Sequence, residues 1–179
     1  MIIQEHPAWG FLPSGLLETD AMLTEYLNGF PPLDPALFDE YETKVLQAQA
    51  AGDNLHEMRS IMSESELRHA YNGVREKVCV DVAQSVVYRA CASGIVKYEI
   101  ETDAEPQQLN SVASIIFKAR MADYPEWQIL ELMPDVKPTI FRNYRRHVSA
   151  CLHAHNVIYA TTQAFRFGLL APDVVIKTE

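Results

Sequence analysis

The sequence predicts a mainly α-helical, compact multi-helix domain, and three observations predict it. Apolar residues recur at three- and four-residue spacings along most of the 179 residues. Only seven glycines are present, and the ten prolines stand mostly in short interruptions, which disfavours a strand-and-turn architecture. A hydrophobic content of 48% supplies enough apolar material for a core. No apolar run reaches the roughly 18 residues of a membrane span. The opening MIIQEHPAWG also lacks the basic-then-apolar order of a secretory signal.

Residues 1–13, with Pro7, Trp9, Gly10 and Pro13, follow no period and read as an N-terminal arm. Trp9, Phe11 and Leu12 are costly to leave in water, so the arm is expected to dock on the body or on a partner. Residues 14–179 read as a single helical domain, with an acidic part over 14–62 and a core over 63–179. Leu16, Leu17, Met22, Leu23, Tyr26 and Leu27 mark a helix over 17–28, stopped by Asn28-Gly29-Phe30-Pro31-Pro32. Asp34-Pro35 has the form of a helix start. Leu37, Phe38, Tyr41, Val45, Leu46 and Ala48 carry that helix to Gly52-Asp53, with Asp39, Glu40 and Glu42 on an acidic outer face. A brief helix is expected over 54–62.

Ser63 and Glu66 form a capping-box pair. Leu67, Ala70, Tyr71, Val74, Val78, Val82 and Val86 then predict one helix to Ala92. Gly73 inside it costs about 1 kcal/mol relative to alanine. The segment 95–101 alternates in part, as does 173–177, which allows one small two-stranded β-ribbon. Leu109, Val112, Ile115, Ile116 and Met121 predict a helix over 107–122. A long C-terminal helix is expected over 138–166, through Phe141, Tyr144, Val148, Cys151, Leu152, His155, Ile158 and Phe165. The apolar surface of Val148, Leu152, Ile158, Tyr159 and Phe165 would suffice for a core and a homodimer seam.

The net charge of −9 argues against a protein that coats nucleic acid nonspecifically. Its distribution is uneven. Residues 1–60 hold ten acids and two bases (Lys44, Arg59), whereas 107–171 hold four acids and seven bases. Clustered carboxylates among Tyr26, Phe30, Phe38 and Tyr41 would suit a basic protein partner, or would simply form a solvated face. Three of the bases, Arg142, Arg145 and Arg146, fall in PEWQILELMPDVKPTIFRNYRRHV, residues 125–148. That segment reads as two short helices about a proline-bounded turn. Trp127, Leu130 and Met133, or Ile129 and Met133, would pack the first helix. Val136 would plug the turn, and Phe141, Tyr144 and Val148 would form the inner face of the second helix.

The segment resembles the helix-turn-helix of bacterial regulators in general. It departs from them at Leu130, where a small residue is usual, at Pro134, near the usual turn glycine, and in a turn one residue longer. The resemblance implies duplex DNA in contact with Lys137, Thr139, Arg142, Asn143, Arg145 and Arg146, since arginine meets phosphate or guanine and asparagine reads adenine. A plain helical hairpin with a solvated arginine face gives the same outline.

Three cysteines, Cys79, Cys91 and Cys151, form no paired spacing, so a reducing cytoplasm is the simplest compartment. Cys79 and Cys91 read as small buried hydrophobes. His147, Cys151 and His155 line one side of an ideal helix but spread over two turns, too far to converge on one zinc ion. Glycine-rich phosphate loops and a glycine-rich turn beside any cysteine are absent. The expectation is therefore a cytoplasmic, homodimeric DNA-binding regulator without cofactor, metal or enzymatic activity. The alternative is a non-enzymatic protein-binding adaptor or inhibitor acting through the acidic N-terminal face and the Trp9 arm.

Overall fold

The computed structural model describes residues 3–172. Among these residues the helices are α1 (Leu17–Asn28), α2 (Glu40–Ala50), α3 (Leu55–Met58), α4 (Glu64–Val78) and α5 (Ala83–Ala92). They continue as α6 (Ser111–Met121), α7 (Glu126–Leu132), α8 (Ile140–Cys151) and α9 (Val157–Arg166). The chain is mainly helical, and the described residues form no sheet. An isolated antiparallel bridge joins Ile3 to Leu170. The expected ribbon is not formed by 95–101, which is irregular and attached to α9 by Glu101 N–H donating to Arg166 O at 2.8 Å. Its other candidate strand, 173–177, lies outside the described residues. No described helix is long and apolar enough to cross a membrane.

Asp34 caps only a 3-10 turn at Pro35–Leu37, and α2 starts at Glu40 rather than at Pro35. The cap of α2 is Asp39. Its Oδ1 accepts from Glu42 N–H at 2.8 Å while Glu42 Oε2 accepts from Asp39 N–H at 2.8 Å. Glu42 therefore does not belong to an acidic outer face: it is 4% exposed, and both its oxygens lie 2.6 Å from Lys77 Nζ on α4. Gly73 faces this carboxylate, and a Cβ there would overlap Glu42 Oε1. The missing side chain lets α2 close on α4.

The helix expected from Ser63 to Ala92 divides. Ser63 caps α4 as anticipated, but α4 ends at Val78 and Cys79 turns left-handed at φ 57°. Asp123, from the α6–α7 turn, explains the restart. Its Oδ1 accepts from the N–H groups of Asp81 (2.9 Å) and Val82 (2.7 Å), satisfying donors at the start of α5. Cys79 is exposed, not buried, and its thiol donates to Glu76 O at 3.0 Å; Cys91 is buried.

The long C-terminal helix also divides. It stops at Cys151, His153 takes φ 50°, and Asn156 caps α9 by accepting from Ile158 and Tyr159 N–H. Asn156 Nδ2 donates to Gly52 O at 2.7 Å, which fixes the corner against the end of α2. α9 therefore folds back onto α5, α2 and α8. Val148, Leu152 and Phe165, expected to share a dimer seam, are 0% exposed inside the chain's own core.

Part of the N-terminal segment joins the same packing, whereas Phe11 stays 86% exposed. Trp9 is 7% exposed, its indole donates to Gln4 O, and its carbonyl accepts from Ser114 Oγ on α6. Lys118 Nζ stands 4.7 Å above the Trp9 ring and 2.6 Å from Asp20 Oδ1, so a buried ammonium links this segment, α1 and α6.

Candidate nucleic-acid interface

Helix α8 has two unlike faces. Phe141, Tyr144, Val148 and Cys151 are buried, on a helix whose principal neighbours are α6 and α9. The Tyr144 hydroxyl donates to Gln84 Oε1 (3.2 Å) and accepts from Gln84 Nε2 (2.9 Å), which ties α8 to α5. Burial raises the Tyr144 phenol well above its ordinary range, so it stays a neutral donor. This inner face holds the helix rigidly in place.

Arg142, Asn143, Arg145 and Arg146 are all exposed on the other face, and the three arginines stand at i, i+3 and i+4. Lys137 and Thr139 are exposed on the approach to the helix. Thr139 occupies the N-cap position without a side-chain cap bond. The six expected contact residues thus gather at and just before α8. One of them is engaged already, because Arg145 Nη2 lies 2.6 Å from Glu126 Oε1 at the start of α7. Among the described residues, Lys137, Arg142 and Arg146 enter no ion pair. The Glu126 partnership has no sequence signal, since the two residues belong to different helices.

The packing of α7 is narrower than the pattern suggested. Ile129 and Met133 are buried, whereas Trp127 is 60% exposed and does not pack inward. The link 133–139 is a series of turns, with Val136 N–H donating to Met133 O and Ile140 N–H to Lys137 O. Of the helices before α8 in sequence, α6 is its principal neighbour; α7 does not pack closely on α8, and the Glu126–Arg145 ion pair joins the two.

The His147, Cys151 and His155 line is broken by the corner after α8. His147 Nε2 accepts from Asn110 N–H at 3.1 Å, and Cys151 Sγ lies 3.6 Å from that nitrogen. His155 instead stacks on Tyr159, with centroids 4.7 Å apart. Among the described residues no group of three His, Cys, Asp or Glu is arranged to hold a metal ion. Burial raises the Cys151 thiol and pushes Cys91 up to about 12, which keeps both protonated near neutrality and poorly nucleophilic.

Much of the acidic N-terminal third serves the fold. Asp34, Asp39 and Glu57 bond at helix starts, Asp20 holds Lys118, Glu40 holds Lys44, and Glu42 holds Lys77. Compared with known proteins, the chain matches no protein-family model, no curated protein and no solved structure.

Proposed function

We propose that the protein is a non-enzymatic, cytoplasmic regulator that binds double-stranded DNA through the free face of α8. The observation that carries this reading is the two-sidedness of that helix. Its inner face is locked by Phe141, Tyr144 and Val148, and its outer face projects Arg142, Asn143, Arg145 and Arg146 from an otherwise acidic chain. In this reading Lys137, Arg142 and Arg146 neutralise phosphates, Thr139 donates to the backbone, and Asn143 meets a base edge. Glu126 holds Arg145 in position and opposes the polyanion. The alternative, a protein-binding adaptor acting through its acidic third, has less support because six of the ten carboxylates there already bond within the chain.

A mobility-shift titration with random-sequence duplex DNA tests the proposal. Binding is expected at about 50 mM salt and should weaken steeply by about 200 mM, since each neutralised phosphate releases counterions. The Arg142→Ala/Arg145→Ala/Arg146→Ala variant should bind at least about tenfold more weakly with a shallower salt slope. Glu126→Gln should bind more tightly than wild type. A folded triple variant that binds as wild type does would overturn the reading.

A further inference from the structure

We infer that a second copy of this chain docks on the face formed by α3 and α4. A groove of about 290 Å³ runs between these helices, walled by Leu55 and Arg59 on one side and by Leu67, Arg68 and Tyr71 on the other. Beside it, in the turn joining the helices, Ile61 projects into solvent at 54% exposure, and Leu55 at the groove's edge is 53% exposed. Neither side chain can retreat inward, because Met58 and Met62 already fill the inward positions at 2% and 7% exposure. The face therefore carries an apolar knob and an apolar hole within one short segment. A two-fold interface requires this kind of self-complementarity, each copy placing its knob in the other's hole.

Charge selects the same occupant. Two copies of a chain with net charge −9 repel over most of their surfaces. On this face the signs nearly balance. Glu57 and Glu66 accept backbone N–H bonds at the starts of α3 and α4. Glu64 lies 3.4 Å from Arg59, and among the described residues Arg68 enters no ion pair. Across a two-fold axis, Arg68 of one copy meets Glu64 of the other, so polar contacts reciprocate as the apolar ones do. A strongly acidic or strongly basic partner would match only half of these charges. The inference does not depend on DNA binding, since α8 takes no part in the face.

Sedimentation velocity on the full chain, over about 1 to 200 µM, tests the inference. A concentration-dependent rise from the mass of one chain to that of two is expected. Ile61→Glu and Arg68→Glu, both at exposed positions that leave the core intact, should each weaken the dimer at least about tenfold. Arg142→Glu, on α8, should leave it unchanged. Circular dichroism establishes that each variant is folded. A monomer at every concentration overturns the inference, as does a dimer indifferent to Ile61→Glu and Arg68→Glu, or an open-ended series of larger species.

Discussion

Gly10 and Gly73 show how differently two missing side chains can act. Gly10 sits at φ 77°, where a Cβ would overlap the Leu109 carbonyl oxygen, a backbone atom with no freedom to yield. Gly10→Ala should therefore destabilise by at least about 3 kcal/mol in urea unfolding, because it adds left-handed strain to a clash with main chain. At Gly73 two effects compete. Alanine gains about 1 kcal/mol of helix propensity. It also displaces the buried Glu42 carboxylate from Lys77, whose side chain is 37% exposed, so solvent tempers the value of that pair. Loss of the pair and of the Glu42 cap bond should win, leaving Gly73→Ala less stable than wild type by about 1 kcal/mol. A more stable Gly73→Ala protein would show that Glu42 finds an equivalent position.

Apolar periodicity identified most of the helical segments but not their breaks, and the reason is geometric. Val78, Val80 and Val86 face one core and Val82 is buried as well, so the stripe continues through the left-handed turn at Cys79. The same continuity hides the corner between α8 and α9, where Cys151 and Leu152 remain buried. Part of what fixes the restarts comes from distant sequence: Asp123 reaches Asp81 and Val82 ahead of α5, and Asn156, the local cap of α9, is tied to Gly52. Asp39 with Glu42 and Asn54 with Glu57 both have capping-box spacing: Asn54 opens the short helix expected there, whereas Asp39 and Glu42 read in the sequence as a solvated acidic face. The two faces of α8 were legible because a single helix carries them, whereas the Glu126–Arg145 tie needed the fold. Asp123→Ala should cost about 1 to 2 kcal/mol of unfolding free energy by removing the acceptor at the start of α5. Asp123→Asn, which retains an acceptor, should cost less. Equal losses from the two variants would assign the effect to charge rather than to the cap.

At the scale of the whole molecule, the buried Cys91 thiol and the half-buried Tyr98 phenol should lower stability at alkaline pH. Cys91 and Tyr98 are both pushed up to about 12, chiefly by burial. Their unfolded forms release protons first, so over that interval the unfolded chain binds fewer protons and stability falls as pH rises. The contribution is complete below about pH 9 for the thiol and is lost as pH climbs toward 12. Urea midpoints should decline from pH 8.5 to 11, and Cys91→Ala should flatten the early part of that decline. Native protein should react with a thiol reagent rapidly at Cys79 alone, and at all three cysteines once unfolded. The Ile3–Leu170 bridge bears on connectivity in another way. Because Gln4 N–H also bonds to Leu169 O at 3.1 Å, the two ends of the described segment are neighbours, and a short peptide joining them would close residues 3–170 into a ring. Reopening that ring within the exposed stretch 102–105 would yield a circular permutant with every helix intact.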